Sequence, residues 1–269
     1  MVLLTFDIEE FDYPEELGLT ISEERKMQVS SEGLRKILKV LADNQVRATF
    51  FCTAYFAERA QELMAEIVAG GHEIASHGYN HSSFEKADLL KSRLRLQEII
   101  GQPVIGYRMA RMQHVEPSDI AEAGYLYDSS LNPLYIPGRY NNFDKPRSLF
   151  KVLSNPDLYE IPASVSPIFR LPLFWLALHH YPFCLYKYLA KRVLKKDGYL
   201  ITYFHPWEFA DIKHLPEGKL SYVATHHSGD FELYRLEKFI QYFKEKGESF
   251  VPVKDFLKYE KNINTDTLL

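Results

Sequence analysis

The sequence predicts an α/β barrel that forms a single domain over residues 1–269. Runs rich in β-branched and aromatic residues alternate with segments of helical period, a pattern typical of parallel βα units. Seven or eight such units follow one another, and no glycine- or serine-rich linker divides the chain. With 46% hydrophobic residues, a chain of 269 residues can bury the core that such a barrel requires.

Eight segments are predicted to be strands: residues 2–8, 48–53, 72–76, 104–109, 125–129, 158–162, 199–204 and 248–253. The clearest predicted helices are residues 31–44, 55–69, 84–100 and 231–246. Each helix stops at a glycine or an asparagine, as expected of a helix C-cap. Residues 132–156 contain prolines and the run GRYNN, which predicts one long loop that shapes the substrate site.

Composition excludes several classes of function. The formal net charge is -4 and the basic residues are scattered, so the chain lacks the basic patch of a nucleic-acid-binding protein. The start MVLLTFDIEEFD does not resemble a signal peptide, and prolines interrupt the apolar segment 171–189, which is predicted to be a buried or groove-lining helix and not a membrane span. Cys52 and Cys184 are predicted to be buried free thiols, which favours a cytoplasmic location. No feature of the sequence predicts an oligomeric state.

Polar residues follow an apolar run at five of the predicted strand ends. In chain order these ends read FDIEE, SHGYNH, GYRMAR, YDSS and YFHPWE. In a parallel barrel the carboxyl ends of the strands meet at one rim, where catalytic residues collect. We therefore expect these carboxylates, histidines and the arginine to form a single site.

The histidines in SHGYNH suggest a metal site. His77 and His81 are four residues apart, a spacing that lets two imidazoles reach one ion, although such pairs also arise often by chance. Strand alternation points Asp7 and Glu9 to the same face, unless they are only a solvated strand end. Two histidines and one carboxylate leave open positions on a divalent ion, as a catalytic metal needs. We expect Glu9, and not Glu10, to complete the site.

Other polar residues have simpler interpretations. Arg108 could form a surface ion pair, His205 could be a turn residue, and Asp128 could cap a turn. His72 begins its predicted strand, far from the rim, so we expect a structural or exposed residue. The adjacent pairs His179–His180 and His226–His227 are predicted to be non-catalytic, because neighbouring side chains diverge in direction.

The ordered motifs TFD (5–7), SHGYNH (76–81), GYR (106–108), YDSS (127–130) and YFHP (203–206) resemble those of the polysaccharide deacetylases with a NodB-homology domain, the group related to carbohydrate esterase family 4. The resemblance covers about residues 2–255, and the ending HPWE looks like the branch associated with exopolysaccharide production. It implies a distorted (β/α) barrel of about seven parallel strands. It also implies removal of N- or O-acetyl groups from sugars with one divalent ion, for which zinc is expected and cobalt or nickel are alternatives.

Carried over by position, the resemblance implies a role for each motif residue. Asp7 would be the catalytic base, Arg108 would orient it and favour its charged form, and His205 would be the general acid. His77 and His81 would bind the metal. A backbone N–H within residues 109–111 would help to hold the oxyanion. A neighbouring carboxylate could raise the pKa of His205; Asp128 and Glu160 are candidates, and the sequence does not decide the partner.

The sequence departs from the family pattern at two positions. Ile8 stands where most members have a second, metal-binding aspartate, and Glu9 looks like its replacement. Ala110 stands where a proline usually follows the arginine by two positions. The leading hypothesis is a metal-dependent deacetylase acting on N-acetylated sugars of a polysaccharide, an oligosaccharide or a precursor. The alternatives are a metal-independent hydrolase of small cyclic amides on the same barrel and a non-catalytic glycan-binding barrel.

Overall fold

The computed structural model describes residues 1–215 and 217–261, so the last residues of the predicted domain, 262–269, lie outside it. The described strands are β1 (Val2–Ile8), β2 (Thr49–Cys52), β3 (Glu73–Ser76), β4 (Gly106–Tyr107), β5 (Tyr127–Asp128), β6 (Tyr135–Ile136), β7 (Tyr140–Asn141), β8 (Phe150–Ser154), β9 (Asp157–Glu160) and β10 (Leu200–Phe204). Eight of them form one sheet in the order β10-β1-β2-β3-β4-β5-β9-β8. Pairing is parallel from β10 through β9, and β8 joins β9 antiparallel at the edge.

Helices connect the parallel strands. They are α1 (Tyr13–Glu16), α2 (Glu23–Asp43), α3 (Ala54–Arg59), α4 (Gln61–Ala69), α5 (Lys86–Ile100), α6 (Pro117–Glu122), α7 (Trp175–His180), α8 (Phe183–Asp197), α9 (Tyr222–Thr225), α10 (Asp230–Glu245) and α11 (Val253–Lys261). Two short 3-10 turns follow β4 and β10, at Ala110–Met112 and Pro206–Phe209. The curled, mostly parallel sheet with its covering helices confirms the predicted barrel-like α/β fold.

The two faces of β1 show how the sheet is divided between core and site. Leu4, Phe6 and Ile8 pack against the helices in the largest apolar cluster. Leu3 faces the other way and belongs to a second cluster, which residues of α11 complete. Because side chains alternate along a strand, Asp7 shares the inward face with Leu3. The inward face of β1 is therefore apolar at its amino end and polar at its carboxyl end.

Seven of the eight predicted strands are present, β1 with the predicted bounds and the other six with shifted bounds, and one is absent. Residues 248–253 contribute only an isolated bridge between Val2 and Phe250, because Pro252 has no N–H to donate and α11 begins at Val253. The predicted loop 132–156 in turn contains β6, β7 and β8. The sequence did not reveal β8, whose pairing depends on its antiparallel neighbour β9.

The helices differ from prediction in length and continuity. α2 begins at Glu23, where the Ser22 side chain accepts a hydrogen bond from the backbone N–H of Arg25 at 3.2 Å. The predicted helix 55–69 breaks at Ala60, whose φ of -129° is not helical.

The apolar segment 171–189 is also interrupted, because it contains α7 and only the start of α8. Among the described helices, none has both the length and the apolar character needed to cross a bilayer. Cys52 is buried and free as predicted, whereas Cys184, also free, is exposed, so the prediction of a buried thiol there was wrong. Cys184 lies on the solvent-facing side of the amphipathic helix α8.

Candidate active site and metal centre

A cavity of about 100 Å³ opens at the carboxyl ends of β1, β3, β4 and β10. Its walls include Asp7, Glu9, His77, His81 and His205. Aromatic side chains form much of the remaining wall, namely Tyr13, Tyr140, Trp175, Tyr203 and Trp207. Four of the five strand ends that carry polar motifs thus meet at this cavity, whereas Asp128 of the fifth, YDSS, lines a separate cavity.

Glu9, His77 and His81 form a compact group of potential metal ligands. Glu9 Oε2 lies 3.0 Å from His81 Nε2 and 3.4 Å from His77 Nε2. All three side chains are buried. Glu9 Oε2 is a buried atom without a hydrogen-bond partner among the described residues, an arrangement that a cation between it and the imidazoles would resolve.

In both His77 and His81, the ring nitrogen Nδ1 faces a hydrogen-bond acceptor. His77 Nδ1 donates to the backbone carbonyl of Arg108 at 2.9 Å, and His81 Nδ1 lies 2.9 Å from both carboxylate oxygens of Asp12. A proton on Nδ1 leaves the Nε2 lone pair free to coordinate, the usual arrangement behind a metal-binding histidine. The donor set, two imidazoles and one carboxylate, therefore fits a catalytic divalent ion.

Glu9 and His81 stabilise the charged forms of each other. Burial alone would raise the pKa of Glu9, but the positive charge of His81 and His205 holds it well below its usual value. Burial opposes the charged form of His81, yet the carboxylates of Glu9 and Asp12 raise its pKa well above the usual value. The cluster attracts positive charge, which a bound cation could supply.

Local folding directs Glu9, and not Glu10, toward the imidazoles. β1 ends at Ile8, which is buried in the helix-facing core, and Ser30 on α2 donates its hydroxyl to the Glu9 carbonyl at 2.6 Å. Glu10 instead accepts a hydrogen bond from the Thr53 hydroxyl at 2.9 Å and from the His81 backbone N–H at 2.8 Å. Glu10 therefore supports the histidine loop from behind.

Asp7 and Arg108 form a buried ion pair beside this group. Arg108 Nη1 lies 2.6 Å from Asp7 Oδ1, and the guanidinium side chain is fully buried. Arg108 also donates to the Thr5 hydroxyl, to the Ser129 hydroxyl and to the Ser129 carbonyl. The guanidinium is thus fixed in place and leaves the second carboxylate oxygen of Asp7 directed toward the cavity.

His205 faces Asp7 across the cavity and is held from behind by Glu208. His205 Nε2 lies 4.0 Å from Asp7 Oδ2, while Glu208 Oε1 accepts from both the backbone N–H and Nδ1 of His205 at 2.7 Å. Although burial opposes it, the hydrogen bond to Glu208 and the nearby carboxylates raise the pKa of His205. The partner of His205 is thus Glu208, and neither of the two candidates taken from the sequence, Asp128 and Glu160, has this place.

Asp128 and Glu160 lie elsewhere because β5 and β9 pair them side by side. They line a separate cavity of about 520 Å³. Burial raises the pKa of Asp128 to about 6, and burial together with the charge of Asp128 raises the pKa of Glu160 well above its usual value. The register of the sheet thus places these two acids side by side. The carboxylate partner of His205 lies instead in the turn Pro206–Phe209, which follows His205.

The turn after β4 contains Ala110, the residue that stands where the family pattern has a proline. Arg111 has a φ of 58° and Met112 a φ of 52°, so both residues are in the left-handed region. The Met109 N–H donates to the Ser130 hydroxyl at 2.8 Å, which leaves the N–H groups of Ala110 and Arg111 as candidates for holding an oxyanion. Arg111 also contacts the Asp12 carboxylate at 3.2 Å.

Besides other residues of the aromatic wall, three side chains that hydrogen-bond to the potential ligands or to His205 were missed from sequence. They are Asp12 behind His81, Glu208 behind His205, and Trp207, whose Nε1 donates to Glu9 Oε1 at 3.3 Å. Their only signals were their positions within or just after the motifs. His72 is structural and not exposed: its Nδ1 accepts from the Ala48 N–H at 3.1 Å, and burial with the nearby Arg47 charge lowers its pKa to about 4.

Two family models match separate parts of the chain. Residues 1–117 match the model of the polysaccharide deacetylase family, and residues 129–246 match a domain of unknown function, DUF3473. A peptidoglycan deacetylase of Helicobacter pylori is 29% identical over 118 residues, which are 39% of this chain and 40% of that protein. The match thus spans less than half of that relative's length.

Solved structures share the fold over nearly the whole chain. A protein of Mycobacterium smegmatis described as a polysaccharide deacetylase superposes with a TM-score of 0.66 at 20% identity, covering 100% of this chain and 93% of that one. An allantoinase superposes with a TM-score of 0.64 at 16% identity, covering 98% of this chain and 91% of that one. Since these identities are low, the structural likeness establishes the fold alone. The family match thus covers residues 1–117, which carry the motifs TFD, SHGYNH and GYR, and links this part of the chain to the polysaccharide deacetylase family, a family of hydrolases that act on non-peptide carbon–nitrogen bonds.

Proposed function

We propose that the protein is a metal-dependent deacetylase that removes acetyl groups from N-acetylated sugars of a polysaccharide, an oligosaccharide or a precursor of one. The observation that carries the proposal is the convergence of three groups on one cavity. These are the potential ligands Glu9, His77 and His81, the ion pair of Asp7 with Arg108, and the pair of His205 with Glu208. Amide hydrolysis needs a site for activated water, a base and an acid, and these groups supply each of them.

Asp7 and His205 can carry out both proton transfers of the hydrolysis. Asp7 Oδ2 accepts the proton of the attacking water, because Oδ1 is engaged by Arg108. His205, with Nδ1 held by Glu208, presents Nε2 to the cavity and donates a proton to the departing nitrogen. A divalent ion held by Glu9, His77 and His81 would supply Lewis-acid polarisation of the acetyl carbonyl and activation of water.

We propose zinc as the ion, with cobalt or nickel as alternatives of similar ligand preference. Two imidazoles and one carboxylate form the three-ligand set of many catalytic zinc sites. The ligand atoms lie within 4.8 Å of one another, close enough for one ion to contact all three.

The aromatic wall of the cavity supports a carbohydrate substrate. Trp175, Trp207 and Tyr203 offer flat apolar surfaces beside the polar groups, a combination common in sites that bind small polar ligands. The Helicobacter pylori relative is a peptidoglycan deacetylase, which also favours an N-acetylated sugar. A cytoplasmic location remains a prediction of the sequence.

Acetate release from N-acetylated oligosaccharides tests the proposal. The protein is first stripped with a chelator and then assayed with and without added Zn²⁺, with Asp7→Asn as the inactive control. We expect acetate release only from the zinc-loaded wild type. Hydrolysis of a cyclic amide without metal would support the alternative hydrolase. Glycan binding without any hydrolysis would support a non-catalytic barrel, and either result would contradict the proposal.

A further inference from the structure

Behind His205 lies a row of buried ionisable side chains that extends away from the cavity. We propose that Glu208 and His179, backed by Glu232, form a positioning chain that holds His205 in the orientation required for proton donation. The inference rests on the deacetylase function proposed above. It assigns a role to His179, which the sequence had indicated to be non-catalytic because it is paired with His180.

Glu208 connects His205 to His179 through its two carboxylate oxygens. Oε1 accepts from the backbone N–H and from Nδ1 of His205, both at 2.7 Å, and Oε2 lies 3.1 Å from His179 Nε2. The Glu208 side chain is fully buried. Because the carboxylate binds the backbone and the ring of the same histidine, it fixes both χ angles of His205 and leaves Nε2 as the free nitrogen.

His179 is the buried cation that accompanies this carboxylate. Its Nδ1 lies 2.8 Å from the carbonyl oxygen of His226, and its Nε2 faces Glu208. A carbonyl can only accept, so Nδ1 carries a proton, and a second proton on Nε2 gives the imidazolium form. Burial opposes this charge, but the hydrogen bond to Glu208 and the charges of Glu208 and Glu232 raise the pKa of His179.

Glu232 completes the chain on α10. Its side chain is fully buried, neither oxygen has a hydrogen-bond partner among the described residues, and Oε1 lies 3.8 Å from His179 Nε2. Burial raises its pKa to about 8, and the charges of His179 and Arg235 act against this rise. Arg235 Nε lies 4.0 Å from Glu232 Oε2, so the chain ends beside a second cation.

The groups that face His205 explain why such a support is useful. Asp7, Glu9 and Glu208 all contribute negative charge around the imidazole, and the ring of Trp207 stacks on it with the centroids 5.2 Å apart. Without Glu208, Nδ1 would lose its acceptor, and the ring could turn toward Asp7 or Glu9. The chain therefore links the acid to α7, which also lines the cavity through Trp175, and to α10, which contributes no residue to the cavity wall.

His179 and the two glutamates also have the donor types of a metal site, since their ligand atoms lie within 4.8 Å of one another. We favour the positioning chain because both nitrogens of His179 already face oxygen acceptors, an arrangement that the imidazolium satisfies without an ion.

The test compares Glu208→Gln and His179→Gln with His180→Gln, the adjacent residue that lies outside the chain. On an acetylated oligosaccharide we expect kcat to fall about 10²-fold in Glu208→Gln and about 10-fold in His179→Gln, with KM within about threefold, because only proton donation is impaired. His180→Gln should retain both constants. A change in KM with kcat unchanged would overturn the positioning role.

A second readout does not depend on activity. Long-range ¹H–¹⁵N NMR spectra of histidine-labelled protein report the tautomer of each imidazole, and His205→Ala identifies the His205 signals. At a pH above the pKa of His205, where the ring is neutral, we expect the Nδ1-protonated tautomer of His205 in the wild type and a mixture of tautomers in Glu208→Gln and His179→Gln. An unchanged His205 pattern in both variants would refute the chain, whereas a wild type that releases no acetate but shows these shifts would count against the proposed function alone.

Metal analysis of the same samples separates the two interpretations of the cluster. The wild type should carry one equivalent of divalent ion, and His179→Gln should keep it. A second equivalent that disappears in His179→Gln would show a metal site at the cluster and overturn the positioning chain.

Discussion

Gly33 on α2 is the position where one methyl group should disturb the site most. A Cβ at Gly33 would lie 1.7 Å from the carbonyl oxygen of Pro206 and 2.5 Å from its carbonyl carbon. Pro206 directly follows His205, and Ser30, one turn earlier on α2, holds the Glu9 carbonyl. Gly33→Ala therefore forces the helix away from the turn that carries the proposed acid.

The size of the effect follows from the distances. Real Cβ atoms essentially never approach another heavy atom closer than 3.0 Å, so helix and turn must separate by about 1.3 Å. The obstacle is backbone, which no rotamer change can relieve. Overpacking of this kind costs about 3 kcal/mol at the upper end of its usual range, and the better helix propensity of alanine offsets about 1 kcal/mol.

We therefore expect Gly33→Ala to lose about 2 kcal/mol of unfolding free energy, which corresponds to a fall in Tm of about 4–8 °C in a chain of this size. A misplacement of about 1 Å in a catalytic group can cost about 10²-fold in rate, so kcat should fall on that scale. Differential scanning calorimetry and acetate release measure the two effects.

Arg35→Ala is the matched control, because Arg35 is exposed on the same helix. It should change the unfolding free energy by less than about 0.5 kcal/mol and leave kcat near the wild-type value. If Gly33→Ala keeps both Tm and kcat at the wild-type values, the close approach of α2 to Pro206 is wrong and the reasoning fails.

The remaining predictions concern the site itself. Replacing His77 and His81 together with alanine should abolish stoichiometric divalent metal in elemental analysis, and full occupancy in the double variant would contradict the ligand assignment. Asp12→Ala should weaken metal binding by about 10- to 100-fold, since Asp12 orients His81, and competition with a chelating dye measures this loss; unchanged affinity would mean that the contact is incidental. Asp7→Asn and His205→Ala should each reduce kcat by about 10²- to 10⁴-fold, and His205→Ala should still bind metal. The alkaline limb of the wild-type pH profile should lie above about pH 6.5, because the neighbouring carboxylates raise the pKa of His205, and it should vanish in His205→Ala; near-native turnover in that variant would make the histidine structural.

The different directions of Glu9 and Glu10 show how much the local sequence pattern can predict. Ile8 occupies a position on the helix-facing side of the strand, so alternation alone indicates that Asp7 and Glu9 belong to the other side. The structure brings Glu9 to both imidazoles and turns Glu10 toward Thr53. Their roles as ligand and support remain predictions, but their directions could be inferred from two or three neighbouring residues.

The partners of the two key histidines show where local pattern fails. His81 pairs with Asp12 across 69 positions of sequence, and nothing near either residue identifies the other. The partner of His205 lies only three positions away, yet the sequence could not distinguish Glu208 from the acids at other strand ends. The turn at Pro206–Phe209 decides it, because that turn folds Glu208 back onto the backbone and the ring of His205.

The sequence by itself determined the βα order, the strand ends that carry polar residues, and the set of side chains able to bind a metal or transfer a proton. These features depend on period and spacing, which act over a few residues. Tertiary structure alone decided that β8 pairs with β9, that Asp128 faces Glu160, and that Glu208 joins His205 to His179. Such contacts depend on sheet register and on helices packed from distant parts of the chain, and the free energy that selects them is gained only when the whole core is buried.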